Sequence, residues 1–214
     1  MSNFGVLGGT FDPPHLGHLL LAQEVYAQFS LDQVWLMPTG DPPHKGQQNV
    51  TPWVHRHAMV QLAVQHDSRF ACTDIEHLRS GLSYTVDSLR QLRSEWGQTA
   101  HIYLILGWDM LLTLPEWHDA SGVVALTDVL VAARRPGYSA AESDLTSVFS
   151  RLPQLQLKMR TVTMPQIEIA ASSVRDRVFA GMPIRYYVPD TVREYIETNG
   201  LYTRKLMTIE MEKE

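Results

Sequence analysis

Cysteine is almost missing. One residue, Cys72, stands in 214. That excludes an internal disulfide and any multi-cysteine zinc site, and Cys72 itself reads as a small buried apolar side chain rather than a reactive thiol. Long hydrophobic runs are missing as well. Stretches such as 123–126 and 129–133 fall far short of the roughly 18 apolar residues that a membrane-spanning helix needs. No charged segment leads into a long apolar one near residue 1, so no secretory signal and no membrane partner are expected, and a cytoplasmic location follows as the default. There is no excess of positive charge either. Lys plus Arg is 18 against 23 Asp plus Glu, a net charge of −5, which argues against a general nucleic-acid binder. What is there is ordinary globular composition, 44% hydrophobic and 19% charged. A chain of this length buries roughly 70% of its unfolded surface and needs no staple.

Short apolar runs alternate with amphipathic segments. Strands are expected at 4–7, 33–37, 70–72, 101–106, 129–133 and 160–163, and helices at 16–29, 53–64, 85–92, 172–179 and 190–198. Thr51 is the expected N-cap of the second helix, with Pro52 at its first position, and Asn199-Gly200 ends the last. This alternation predicts an α/β fold with a mostly parallel central sheet and helices on both faces. One domain is expected over 1–203, followed by a charged tail at 204–214, and a homo-oligomer is left open. In such sheets ligands bind beyond the carboxyl ends of the strands, so the loops after Leu7, Met37, Leu106 and Ala133 carry the functional expectation. Residues 39–51 form a connection longer than the usual few residues, which marks a functional or mobile loop.

The first of these loops reads Gly8-Gly9-Thr10-Phe11-Asp12-Pro13-Pro14-His15-Leu16-Gly17-His18. Two glycines after a strand let backbone N–H groups approach a ligand with no Cβ in the way. The prolines place His15 and His18, three apart, at the first turn of a helix, where free N–H donors and partial positive charge attract anions. Gly17 keeps the surface between them low. Neither the P-loop pattern nor the dinucleotide Gly-x-Gly-x-x-Gly pattern is present. Spacing alone leaves three readings open: a phosphate site, a metal pair, and a structural turn.

Taken together, Gly9-Thr10-Phe11-Asp12-Pro13 with His15-x-Gly-His18, and the distant Ala170-Ala171-Ser172-Ser173-Val174-Arg175, resemble the two signature motifs of the nucleotidylyltransferase superfamily. Pro42-Pro43-His44-Lys45, Ser83-Tyr84-Thr85, Gly107-Trp108-Asp109, Pro115-x-Trp117 and Arg134-Arg135-Pro136-Gly137 narrow the resemblance to bacterial nicotinate mononucleotide adenylyltransferases. It covers residues 4 to about 202. The second motif departs from the usual pattern at Ala170, where a serine hydroxyl is missing.

The resemblance implies a Rossmann-like nucleotidylyltransferase fold. It implies transfer of AMP from ATP to nicotinate mononucleotide, giving nicotinate adenine dinucleotide and pyrophosphate, with Mg²⁺ held mainly by the ATP phosphates and no protein metal ligand named. It assigns His15, His18 and Arg175 to catalysis. It assigns Gly8, Gly9, Thr10, Phe11, Gly17, Gly107, Asp109, Ser172 and Arg175 to ATP, and His44, Lys45, Tyr84, Thr85, Trp117 and Arg134 to the mononucleotide. The mononucleotide brings its own ionised phosphate as nucleophile, so the protein needs to supply charge neutralisation and in-line positioning rather than a strong base. Nicotinamide mononucleotide or phosphopantetheine as acceptor, a nucleotide-binding regulator without turnover, and a metal-dependent hydrolase are the competing readings. For Asp109 the plain alternative is a helix cap, and for Trp117 a core residue.

Overall fold

The computed structural model of the chain describes residues 1–40, 50–79, 81–133, 142–165 and 167–203. His44, Lys45, Arg134 and the tail 204–214 lie outside the described residues.

Six strands form one sheet: β1 (Asn3–Gly9), β2 (Gln33–Pro38), β3 (Phe70–Cys72), β4 (His101–Gly107), β5 (Val129–Ala133) and β6 (Met159–Val162). Their order is β3-β2-β1-β4-β5-β6, and every pairing is parallel. Between them run α1 (Leu16–Gln28), α2 (Trp53–Val64), α3 (Thr85–Trp96), α4 (Trp108–Thr113), α5 (Ala120–Leu126), α6 (Glu142–Arg151) and α7 (Leu155–Lys158), and after β6 come α8 (Ala171–Phe179) and α9 (Asp190–Thr198). The chain leaves β1 toward β2 on one side and returns as β4 on the other. The crevice beyond the ends of β1 and β4 is therefore the switch point where such sheets bind ligands.

The strands are apolar on both faces because helices cover both. Side chains alternate: Val6, Leu104, Leu106, Leu130 and Ala132 join the core under α3 to α7, whereas Leu7, Ile105, Val131 and Ala133 join the core under α1 and α2. A third cluster, with Met59, Val174, Val192 and Ile196, seats α8 and α9 against α2. Cys72 is partly buried, and burial pushes its thiol up to about 12, in keeping with an inert side chain.

The expected strands and helices are present, and the structure adds α4 to α7 where no helix was expected. It corrects the start of α2. Pro52 occupies the N-cap position and no side chain caps the helix there. Thr51 instead turns its carbonyl to the Arg56 guanidinium, whose Nε donates at 2.8 Å.

Candidate active site

β1 ends at Gly9, and the chain turns sharply through Phe11, a non-glycine residue in the left-handed region at φ 49°. That turn buries the Phe11 ring, 2% exposed, under the His18 imidazole, with the two rings edge to face at 4.9 Å. Phe11 thus supports His18 with its side chain and leaves only its backbone for a nucleotide.

His15 is the N-cap residue of α1, in extended conformation. Its ring stacks on that of His18, centroids 3.7 Å apart and planes 25° from parallel, so the pair projects on one side as the spacing predicts. The His15 backbone N–H donates to His18 Nδ1 at 3.2 Å. An imidazole that accepts at Nδ1 carries its proton on Nε2, and this fixes His18 as a neutral Nε2–H donor. Burial, and then the charge of His15, hold its pKa well below the usual histidine range. Gly17 permits the stack: a Cβ there would lie 3.0 Å from His15 Nδ1 and 3.1 Å from its Cε1.

The second motif comes to the same place. A Cβ on Gly17 would also lie 3.8 Å from the Ile169 carbonyl oxygen, so the N-terminus of α8 sits beside that of α1. Ala170 is its N-cap and supplies no side-chain bond. Arg175, from the next turn, reaches back 163 residues and donates from Nη1 to the Asp12 carbonyl at 2.7 Å. Ser172 is exposed in the first turn of α8. Two helix N-termini, two imidazoles and a guanidinium thus converge, and all offer N–H donors or positive potential. Such a set fits an anion and is ill suited to hold a bare cation.

Asp12 ties this corner together. It is 4% exposed. Its Oδ1 accepts from the Tyr202 hydroxyl at 2.8 Å and its Oδ2 from the Thr51 N–H at 3.2 Å. Across the switch point, Gly107 is the N-cap of α4. Asp109, exposed in the first turn, folds its Oδ1 over Gly107, 2.6 Å from where a Cβ would stand. The cap position belongs to Gly107, so Asp109 is not the N-cap of this helix.

Tyr84 is the N-cap residue of α3, followed by Thr85. Its ring packs against His118, centroids 4.2 Å apart. This brings Tyr84 and Thr85 next to Trp117, which is partly buried and donates from Nε1 to Thr113 Oγ1 at 3.4 Å. His118 carries no motif and escapes sequence reading. So do Arg56 and Glu76, 2% and 4% exposed, which lie under the loops of the site.

The sequence pattern of the Cytidylyltransferase-like family matches residues 6–177, which defines the class of protein to which this fold and cradle belong. A protein of Thermomicrobium roseum named probable nicotinate-nucleotide adenylyltransferase is 44% identical over 202 residues, 94% of this chain and 92% of its own. One of the same name from Dehalococcoides mccartyi strain 195 is 40% identical, covering 94% and 97%. The chain belongs to the nicotinate-nucleotide adenylyltransferase family. Its fold matches the Plasmodium falciparum nicotinic acid mononucleotide adenylyltransferase solved with NaAD, with a TM-score of 0.75 at 22% identity, covering 94% of this chain and 98% of that one. The same enzyme complexed with APC gives a TM-score of 0.73 at 21% identity.

Proposed function

We infer that this chain is an adenylyltransferase of NAD biosynthesis that joins ATP and nicotinate mononucleotide into nicotinate adenine dinucleotide and pyrophosphate. Family membership at about 40% identity over nearly the whole chain carries the substrate pair. The observation that carries the chemistry is the convergence of the His15–His18 stack, the first turn of α8 and Arg175 at the end of β1.

A phosphate oxygen of the mononucleotide attacks the α-phosphorus of ATP. The new P–O bond forms as the bond to the β-phosphate bridging oxygen breaks, and pyrophosphate leaves with the electron pair. No proton must be abstracted from the nucleophile. His18 is assigned to donate from Nε2 to the α-phosphate as its charge develops, and His15 to hold the phosphates beside it. Arg175 takes the oxygens of the leaving pyrophosphate, for which a planar fork is suited. The amides of Gly8, Gly9 and Thr10 and the first turn of α8 near Ser172 supply further donors, and their geometry survives Ala170 because backbone N–H groups do not depend on a side-chain hydroxyl. Gly107 and Asp109 receive the adenosine, and Tyr84, Thr85 and Trp117 receive the pyridine ring. Mg²⁺ arrives as part of the ATP substrate, bound to phosphate oxygens and water.

The test is pyrophosphate release with saturating ATP and Mg²⁺, comparing nicotinate mononucleotide, nicotinamide mononucleotide and phosphopantetheine. The largest kcat/KM is expected with nicotinate mononucleotide. A preference for phosphopantetheine overturns the acceptor assignment, and no release with any acceptor favours a regulator.

A further inference from the structure

Below the loops of the site lies a buried charged cluster that no catalytic step uses. Arg56 projects from the first turn of α2 into the core. Its three nitrogen groups each donate to a backbone carbonyl: Nε to Thr51 at 2.8 Å, Nη1 to Thr10 at 2.8 Å and Nη2 to Gly40 at 3.1 Å. Thr10 belongs to the phosphate loop. Gly40 and Thr51 flank the long connection between β2 and α2. One rigid fork therefore fixes three points of the chain relative to one another.

Glu76 completes the cluster. Its Oε2 accepts from the Gly40 N–H at 3.1 Å, and its Oε1 accepts from the Ser88 hydroxyl at 2.8 Å. Its backbone carbonyl accepts from the Ser83 hydroxyl at 3.4 Å. Arg79 donates to Ser88 Oγ at 2.6 Å. Gly40 is wedged so tightly that a Cβ would fall 2.5 Å from Ser83 Oγ and 2.8 Å from the Glu76 carbonyl oxygen. The cluster thus joins the phosphate loop, both flanks of the long connection, and the Ser83-Tyr84-Thr85 segment at the start of α3. Burial pushes the Glu76 carboxyl up, while its hydrogen bonds and the Arg79 and Arg56 charges pull it back. Buried charged groups contribute little net stability compared with well-packed apolar residues. What these hydrogen bonds supply is fixed spacing.

We propose that Arg56 and Glu76 are positioning residues for the acceptor half of the active site, holding the segments that receive the mononucleotide at a set distance from the loop that receives the ATP phosphates. This rests on the adenylyltransferase reading above. The groups assigned to ATP make no hydrogen bond to Glu76 among the described residues, whereas Arg56 holds Thr10 of the phosphate loop directly, so ATP binding is expected to be nearly indifferent to Glu76 and to depend on Arg56.

The experiment is steady-state kinetics on the full chain for Glu76→Gln and Arg56→Lys, with thermal unfolding measured alongside. Glu76→Gln keeps one acceptor oxygen and the packing, and Arg56→Lys keeps the charge and loses the fork. Both are expected to raise KM for nicotinate mononucleotide about 10-fold and to lower kcat, because small misplacements at a distance are costly to in-line attack. KM for ATP should stay within about 2-fold in Glu76→Gln, whereas Arg56→Lys should raise it as well, because the fork also holds Thr10. Equal changes in both KM values in Glu76→Gln, or unchanged kinetics in either variant that folds, overturn the proposal. If Arg56→Lys does not fold, Glu76→Gln alone decides. An inactive wild type would instead strike the adenylyltransferase reading, so the two failures are distinct.

Discussion

The chemistry of the site is concentrated in one hydrogen bond, from the His15 N–H to His18 Nδ1. It leaves His18 as a neutral donor at Nε2, and the half-buried ring, stacked on His15, resists protonation. Two measurements follow. Ring ¹⁵N shifts should report a protonated Nε2 and a bare Nδ1, and this signature should persist as pH falls past the ordinary histidine range near 6.5. His18→Ala should lower kcat by about 10²–10³-fold with the fold intact, as loss of a preorganised donor does. A titration midpoint at the usual value, or near-unchanged turnover, would remove His18 from the role. The sign of the linkage is definite. With a folded-state pKa below the unfolded value, His18 costs stability as pH drops below about 6.5, because only the unfolded chain takes up the proton there.

At the scale of elements, the periodicity of apolar residues is what makes a sequence legible, and it fails where elements are short. Strands such as 129–133 and helices such as 190–198 stand out because each buries a regular pattern. The segments α4, α5 and α7 have six, seven and four residues, too few turns for a stripe to show. The motifs at 8–18 and 170–175 were readable because their backbone chemistry is local. Arg56 was not, since a lone arginine in a helix reads as a solvated charge. A signal existed nonetheless: Arg56 shares the buried stripe of α2 with Met59, Val60 and Val64.

Elements are also joined by pairs that no motif marks. Asp128 accepts from the Ile102 N–H at 2.7 Å and from Arg93, and Arg93 also donates to the carbonyls of Leu126 and Ala100. Burial raises the Asp128 carboxyl, but these donors and nearby charges outweigh it, and its pKa lies below the usual value. Its stabilising effect is therefore present above the ordinary carboxylate range and is lost as pH falls through the lowered pKa. Asp128→Asn should be less stable than wild type at neutral pH by about 1 kcal/mol, a modest figure because the group is partly exposed. In thermal melts the gap should close in acid. A gap independent of pH would show that the charge is not what matters.

Over the whole molecule, the fold brings residues far apart in sequence into one corner. Tyr202 lies 190 positions from Asp12 and donates to it at 2.8 Å. Burial first, and then the Asp12 charge, push the Tyr202 phenol well above its usual range, so it remains a donor at all ordinary pH. Tyr202→Phe removes that donor from a buried carboxylate and should cost about 1–3 kcal/mol of stability. It should also reduce kcat, since Arg175 and Thr51 both bond to Asp12. Unfolding curves and turnover measured on the same preparation check both effects. An unaltered Tm would mean that Asp12 finds another partner.

The Tyr202–Asp12 bond also has a bearing on synthesis. A growing polypeptide emerges from the ribosome with Asp12 of the glycine-histidine loop 190 positions ahead of the tyrosine that braces it. The sheet can assemble as its strands appear, the last at Met159–Val162, but the corner around Asp12 must wait until Tyr202 has emerged. A nascent chain halted before residue 202 would be folded in large part and still be a poor catalyst.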